Sequence, residues 1–225
     1  MIVRTDRYAV ISDNANDPIN LYWEKGPYPD WTFMLTIGYF TDQPTGFGVE
    51  PHYHDCDEFW LFAKGHGEAW LDGHSHRLTA NTVVYTPMGA VHRFQMFAPF
   101  ETIAVVSHLE RQKRGTHILV EEDGPPVPTV PGFVVPGEDN IRSFPDRGPR
   151  CPLSELRVVD LPAGATIYDE RPGVNEYWMV LSGTTEVVID DSAFELSSGD
   201  VAMLRSGTTR RLRALDSARL ALARE

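Results

Sequence analysis

The chain repeats itself at a fixed interval of 118 residues, as Asp42 and Asp160 illustrate, and this repeat restricts the possible folds more than any other feature. Further positions recur in the same order without a gap. Glu58, Trp60, Gly65, Glu68, Asp72, Leu78, Gly89 and Arg93 recur as Glu176, Trp178, Gly183, Glu186, Asp190, Leu196, Gly207 and Arg211. Glycines mark turns whose backbone angles other residues avoid, so two copies with glycines in one register need the same turns. We therefore predict a duplicated structural unit.

Short apolar runs between glycine and proline residues indicate that each unit is built from β-strands. The 225-residue chain contains 18 Gly and 17 Pro, which separate runs such as EFWLFAKG, ETIAVVSHL and EYWMVLSG. Runs of this length, each ended by a turn residue, are typical of a β-sandwich or barrel. The final SARLALARE has a helical composition, but the repeat aligns it with FETIAVVSH and so predicts a last strand.

The distribution of prolines divides the chain into segments. Residues 121–152 hold eight of the 17 prolines, which excludes a helix or a central strand there. We therefore expect a proline-rich connector at 121–152, between a first barrel at 36–120 and a second at 153–225. Residues 1–35 form an aromatic-rich arm that would cover a sheet edge or a pocket mouth, or make a dimer contact.

The first copy contains a cluster of metal-binding residue types. In PHYHDCDEFW, His52 and His54 are two residues apart, and Glu58 follows four residues after the second. Because side chains alternate along a strand, both histidines face one side, which we take to be the barrel interior. His92 would join them from a distant strand. Three imidazoles and a carboxylate suit one divalent transition metal, such as Fe, Mn, Co, Ni or Zn.

The spacing of this first motif resembles the first half of the cupin signature. It runs from Gly46 through the two histidines and Glu58 to Gly65, and PMGAVH, ending at His92, resembles the second half. The resemblance recurs in the second copy, so the chain resembles a bicupin. It implies an all-β fold of tandem double-stranded β-helix (jelly-roll) barrels, with the histidines and Glu58 as metal ligands.

Two positions of the second half depart from the signature. Asn81 stands where glycine is usual, and Met96 where asparagine is usual. Neither position is a metal ligand in the family. The first departure leaves the site unaffected, and the second bears on the floor of the substrate pocket. We therefore expect the metal site to be intact.

The second copy lacks the metal-binding residue types. Its equivalent positions carry Glu170, Pro172, Glu176 and Arg210. A guanidinium cannot ligate a metal, and its buried charge needs a partner. We predict that this barrel is metal-free, that Arg210 pairs with Glu170 or Glu176 unless the mouth is open to solvent, and that its role is structural. An anion pocket using Arg205 and Arg210 is the alternative.

Parity along the strands identifies candidate pocket residues in the first barrel. Trp60 and Phe62 share the side of Glu58, while Phe94 and Met96 share that of His92. The aromatic side chains suit an apolar small-molecule pocket, although small barrels are also filled by such side chains. Tyr85 is a nearby polar candidate for the same pocket.

Three classes of function agree with these features. The first is a non-haem metal oxygenase or dioxygenase acting on a small, partly apolar molecule. The second is an isomerase, epimerase, lyase or cyclase that uses the metal as a Lewis acid. The third is a non-catalytic small-molecule-binding protein. Fold does not distinguish these classes.

Composition excludes several partners. A formal net charge of −12 opposes nucleic-acid binding, and no apolar run is long enough to cross a membrane. Cys56 and Cys151 are the only cysteines, so we expect a reducing, cytoplasmic setting. A homodimer is compatible with the aromatic arm.

Overall fold

The computed structural model describes residues 2–3, 9–10, 20–22, 31–32, 34–107, 118–120, 128, 130–137, 144–145, 153–169 and 173–225. These residues form strands and turns and no helix, which confirms the all-β prediction. Within them, no helix is long and apolar enough to cross a membrane. The chain divides into two compact units. One spans Ala9–Pro152, and the other combines Met1–Tyr8, which contains β1 (Ile2–Val3), with Leu153–Glu225.

The unit formed by Ala9–Pro152, hereafter the first barrel, consists of two antiparallel sheets. Its strands are β2 (Ala9–Val10), β3 (Asn20–Tyr22), β4 (Met34–Gln43), β5 (His52–Tyr53), β6 (Glu58–Lys64), β7 (Gly67–Leu71), β8 (His74–Leu78), β9 (Thr82–Thr86), β10 (His92–Met96), β11 (Phe100–Ser107), β12 (Ile118–Leu119) and β13 (Phe133–Val135). One sheet has the order β13-β9-β6-β11-β4-β3-β2, and the other β12-β5-β10-β7-β8. Phe62 and Val84 of the first sheet pack with Leu71, Phe94 and Met96 of the second, so the core lies between the sheets.

The remaining unit, hereafter the second barrel, has the same construction. Besides β1, its strands are β14 (Glu155–Leu161), β15 (Thr166–Asp169), β16 (Glu176–Ser182), β17 (Thr185–Ile189), β18 (Ser192–Leu196), β19 (Val201–Leu204), β20 (Arg210–Ala214) and β21 (Ala218–Arg224). They form sheets of order β1-β19-β16-β21-β14 and β15-β20-β17-β18. Trp178 and Leu222 of one sheet pack against Val187 and Leu212 of the other.

The strands confirm the repeat. β6 begins at Glu58 and β16 at Glu176, and β7, β8 and β10 keep the same 118-residue interval to β17, β18 and β20. The C-terminal segment forms β21, as its alignment with β11 predicts. Asn81, with a φ of 69°, occupies the place of Gly199, with a φ of 87°. Asparagine tolerates this left-handed conformation better than most residues, which explains why it can replace the usual glycine.

The arm and the connector, which the sequence predicts outside a barrel of residues 36–120, contribute strands to the larger sheet of the first barrel. β3 pairs with β4, and β2 with β3, so the described part of the arm covers an edge of this sheet. Ile2 and Val3 differ, because β1 pairs with β19 of the second barrel. In the connector, β13 pairs with β9 at the opposite end of the sheet. An end position suits a proline-rich segment, since an outermost strand needs fewer backbone donors.

Candidate metal centre

Three histidines of the first barrel converge at the end of its smaller sheet. His52 of β5 and His92 of β10 are directly opposite each other across the antiparallel pair, and their ring centroids are 4.3 Å apart. His54 follows β5, and its carbonyl accepts a hydrogen bond of 3.0 Å from the backbone of Gly89. Strand pairing therefore brings together residues that are about forty positions apart in the chain.

The nitrogens of these histidines are close enough to share one ion. A set of ring nitrogens from His52, His54 and His92 lies within 4.8 Å of one another, and all three residues are buried. Nitrogens bound to one ion at about 2.1 Å are at most about 4.2 Å apart. Rotations that shift the rings by less than about 1 Å would therefore complete a site.

Glu58 supplies a carboxylate at the same place. It begins β6, and its Oε2 lies 3.1 Å from His54 Nε2 and 3.7 Å from His92 Nε2. Burial would raise the pKa of this carboxyl, but His54, His92 and the indole of Trp60 outweigh burial and lower it to about 2. Glu58 is therefore ionised at neutral pH and offers a negative charge to a cation.

The ring orientation of two histidines is fixed by the backbone. His52 Nδ1 lies 2.8 Å from the carbonyl oxygen of Glu50, and His92 Nδ1 lies 2.9 Å from that of Ala90. A carbonyl only accepts, so each Nδ1 carries the proton and each Nε2 keeps its lone pair. Metal-binding histidines are commonly held in this way.

The protonation state of His92 also suits a metal ligand. Burial, together with His54 and His52, lowers the pKa of His92 to about 3, so the ring is neutral at pH 7. Its Nε2 is buried and makes no hydrogen bond to any residue that the structure describes. A buried nitrogen that is left without a donor is costly, and a cation would satisfy it. The four residues therefore fit a divalent transition metal.

A hydrogen bond joins the two halves of the motif. Asp57 is buried, and its Oδ1 accepts a hydrogen bond of 2.8 Å from the backbone of Met88, in the turn that precedes His92. The second barrel repeats this bond between Asn175 and the backbone of Ser206, at 2.8 Å. Because the second barrel keeps this hydrogen bond without the metal-binding histidines, the bond belongs to the shared architecture of the two barrels.

The structure brings four of the five candidate pocket residues to the side of the metal-binding residues. Phe62, Phe94 and Met96 are buried in the core of the first barrel, with Trp60 packed against them. The Phe94 ring centroid is 5.6 Å from that of His92 and 5.3 Å from that of Trp60. Phe94 therefore connects this apolar core to the histidines.

Tyr85 lies elsewhere, which corrects the expectation that it lines this pocket. It pairs with Phe59 across β9 and β6, and the two ring centroids are 4.6 Å apart. Phe59 alternates with Glu58 and Trp60 along β6, so it faces the other side of the sheet. There the ring of Tyr85 contacts Phe133 of the connector, at 5.0 Å.

The second barrel holds an ionic cluster in place of a metal site. Arg210, which occupies the position of His92, is paired with Glu176, as the sequence predicts. Glu176 is fully buried and also accepts hydrogen bonds from Trp178 Nε1, at 2.9 Å, and Arg224 Nε, at 2.6 Å. Arg224 continues to Glu155, at 3.1 Å. Glu170 and Pro172 lie outside the described residues.

Sequence reasoning missed two parts of these arrangements. Arg224 and Glu155 lie in ordinary-looking strands, and only the pairing of β14, β16 and β21 brings them to Glu176. The hydrogen bond from Met88 to Asp57 was not predicted either. The repeat could have indicated it, because both copies carry a side chain with an accepting oxygen at this position, Asp57 and Asn175.

The profile of the Cupin domain matches the chain twice, over residues 38–106 and 157–222. The chain belongs to the cupin family. It is a bicupin, since each match covers one of the two barrels. A curated relative, the uncharacterized protein y4oW of Sinorhizobium fredii (strain NBRC 101917 / NGR234), is 28% identical over 83 residues, which are 36% of this cupin and 38% of the relative. The match thus spans well under half of that relative.

Solved bicupin structures are similar to this cupin in fold. Bacillus subtilis oxalate decarboxylase, a protein with Mn(II) centres, has a TM-score of 0.66 at 12% identity, with coverage of 100% of this chain and 76% of that chain. The formate complex of Lactobacillus farciminis oxalate decarboxylase has a TM-score of 0.67 at 12% identity, covering 99% of this cupin and 84% of that chain. At such identities the likeness shows the fold alone.

Proposed function

We propose that the first barrel binds one divalent transition metal through His52, His54, Glu58 and His92, and catalyses a reaction on a small, partly apolar molecule. The observation that carries this proposal is the convergence of three buried imidazoles and an ionised carboxylate. The fixed Nδ1 protons of His52 and His92 supply the lone pairs that such an ion needs. A core has no structural need for this set, because the second barrel folds without it.

Within this class, we propose a non-haem oxygenase or dioxygenase. A redox-active ion such as iron would supply activation of O₂ here. The residues of the chain would hold the substrate and exclude water. Phe94 packs against His92, Trp60 contacts Phe94 and Glu58, and Phe62 and Met96 belong to the same core. An apolar surrounding suits a substrate whose body is apolar.

A lyase that uses the metal as a Lewis acid is the second candidate. It is favoured by the likeness in fold to the manganese-containing oxalate decarboxylase, whose name indicates cleavage of a carboxylate. The two candidates differ in whether O₂ is consumed. Isomerases, epimerases and cyclases, like a lyase, would not consume O₂.

The decisive experiment measures metal content by mass spectrometry in untagged protein, beside O₂ uptake with a panel of small aromatic substrates. We expect about one ion per chain, lost in the double variant His52→Ala/His92→Ala and kept in His76→Ala, a histidine of β8 outside the cluster. Iron with substrate-dependent O₂ uptake supports the oxygenase. Zinc, nickel or manganese without uptake supports the second candidate, and no metal after reconstitution contradicts the proposal.

We further propose that the protein acts in the cytoplasm on a small molecule, without nucleic acid or membrane as partner, and that it forms a homodimer. The net charge of −12 opposes phosphate-rich partners, and the buried Cys56 is not in a disulfide. Light scattering of the full chain tests the dimer.

A further inference from the structure

We propose that Trp60 is a positioning residue of the candidate metal centre: its indole Nε1 donates a hydrogen bond to the Glu58 carboxylate and so holds one oxygen of that group towards the ion. The inference rests on the proposed function, because it assumes that a metal binds beside Glu58. It adds a role for a residue that is not itself a ligand, and it identifies what keeps the carboxylate ligand in place.

The first step of the argument is the position of Trp60 on β6. It follows Glu58 by two residues, so the two side chains lie on the same face of the strand. The ring of Trp60 packs against Phe94, at 5.3 Å between centroids, and Phe94 packs in turn against His92, at 5.6 Å. The indole therefore lies on the side of the metal-binding residues.

The second step concerns two buried atoms. Neither Trp60 Nε1 nor Glu58 Oε2 makes a hydrogen bond to any residue that the structure describes. A buried N–H without an acceptor is costly, and buried donors in proteins are nearly always bonded. The indole is already close enough to act on the carboxylate: burial raises the pKa of Glu58, and Trp60 joins His54 and His92 in lowering it to about 2.

The second barrel contains this hydrogen bond in complete form. Trp178 Nε1 donates to Glu176 Oε2 at 2.9 Å, and the 118-residue repeat places these two residues at the positions of Trp60 and Glu58. The same Oε2 is paired with the guanidinium of Arg210. One carboxylate oxygen thus meets a cation and also accepts from the indole, which its two lone pairs allow.

The same division of lone pairs applies to Glu58. Its Oε2 is the oxygen that faces the histidines, at 3.1 Å from His54 Nε2 and 3.7 Å from His92 Nε2, and His92 occupies the position of Arg210. Oε2 can therefore meet a cation on the side of the histidines and still accept from Trp60 Nε1. Groups that orient a metal ligand in this way are worth about 10- to 100-fold in metal affinity.

The indole is the donor at this glutamate that the repeat retains. Three side chains of the second barrel surround Glu176 with N–H donors. They are Trp178, Arg210 and Arg224. In the first barrel the equivalent positions carry the indole of Trp60, the imidazole of His92, whose Nε2 has no proton, and the apolar side chain of Val106. Trp60 therefore takes over a task that three side chains share in the second barrel.

Cobalt titrations of the full-length protein, followed by the visible spectrum of the bound ion, test this role without measuring activity. We expect Trp60→Phe, which keeps an aromatic ring but removes the donor, to weaken cobalt binding by about 10- to 100-fold. Trp178→Phe is the matched control, because it removes the equivalent donor from the barrel that lacks the metal-binding histidines. It should leave the cobalt affinity unchanged. Equal affinities of the wild type and Trp60→Phe would overturn the proposal.

A cycle of single and double variants separates the hydrogen bond from packing. Glu58→Met keeps the length of the side chain but removes the acceptor, while the three histidines remain available to cobalt. In this background Trp60→Phe should change the cobalt affinity by less than about threefold, since there is no carboxylate left to position. A loss as large as in the wild-type background would show that Trp60 acts through packing, and would overturn the proposal.

Proton NMR reports the hydrogen bond itself. The indole N–H resonance of Trp60, identified by its absence from the spectrum of Trp60→Phe, should move downfield and exchange more slowly with solvent when zinc binds to the wild type. That of Trp178 should be unaffected. Zinc binding with no change at Trp60 would overturn the inference while leaving the metal site intact, whether or not Glu58→Met binds cobalt. A wild-type protein that binds neither zinc nor cobalt would instead contradict the proposed metal site itself.

Discussion

His92 and Arg210 hold the same place in the two barrels, and each faces the glutamate that the repeat retains. His92 Nε2 lies 3.7 Å from Glu58 Oε2, while the guanidinium of Arg210 forms an ion pair with Glu176. A neutral imidazole in the first barrel leaves its carboxylate available to a metal. A permanent cation in the second neutralises its carboxylate directly. The exchange of His92 for Arg210, together with the loss of the other two histidines, thus separates a barrel whose residues fit a metal from a self-compensated one.

Metal removal should destabilise the protein through the first barrel. An ion that binds only the folded state stabilises it by about 2.7 kcal/mol at a free concentration of 100 times its dissociation constant. We therefore expect a chelator to lower the thermal midpoint of the wild-type protein and to have no effect on His92→Gln. His76→Gln, which changes a histidine outside the cluster, should respond as the wild type does. An equal chelator effect on His92→Gln would contradict this role.

Arg210→Met should destabilise the second barrel without changing metal content. Arg210 and Glu176 are 5% and 0% exposed, respectively. Removing one partner of a buried ion pair costs about 3–5 kcal/mol, and here it leaves the carboxylates of Glu176 and Glu155 to share the single guanidinium of Arg224. Urea unfolding measures the change. Arg211→Met is the matched control, since Arg211 is 51% exposed and 3.8 Å from Glu186, and we expect a change within about 0.5 kcal/mol there.

The double variant Arg210→Met/Glu176→Gln separates loss of charge pairing from loss of packing. Removing both charges should restore part of the stability that Arg210→Met loses, since no carboxylate is then left uncompensated. If the double variant is instead less stable than the single one by the full cost of a second substitution, the two charges are not coupled.

The metal-free protein should lose stability as the pH falls from about 6.5 towards 3. The pKa of His92 drops from 6.5 when unfolded to about 3 when folded. That of Glu58 drops from 4.5 to about 2. Between the folded and unfolded pKa values of each group, the unfolded chain binds more protons than the folded one. The free energy of unfolding therefore rises with pH between about pH 3 and 6.5. Urea midpoints at several pH values measure the slope, and the His92→Gln variant should have a shallower slope between pH 6.5 and 4.5.

Asp57→Ala should weaken metal binding, whereas Asp57→Asn should not. Asp57 accepts a hydrogen bond from the backbone of Met88, near the start of the strand that carries His92. Loss of a hydrogen bond to a charged group costs about 1.5–3 kcal/mol and would loosen this turn. Asparagine retains the accepting oxygen, as Asn175 does in the second barrel. Cobalt affinity measures the effect, and an Asp57→Asn affinity as low as that of Asp57→Ala would show that the charge, rather than the bond, matters.

Much of the architecture was determined by the sequence alone. The 118-residue repeat predicts the same order of strands along the chain in both units. Turn glycines and strand-length apolar runs are local features of the sequence, and they occur in both copies. The shared side of His52, His54 and Glu58 was also predictable from their spacing and from strand alternation. The place of His92 beside them was expected from the resemblance to the cupin signature and is set by the pairing of β10 with β5.

Tertiary structure alone decided the features that depend on pairing between distant strands. The position of Tyr85 on the outer face follows from its register with Phe59, which parity within β9 does not reveal. The pairing of Glu176 with Arg224, 48 residues away, likewise depends on the register of β16 against β21. A strand sequence gives the alternation of its side chains but not the neighbour against which it aligns, because that choice is set by burial of the whole core.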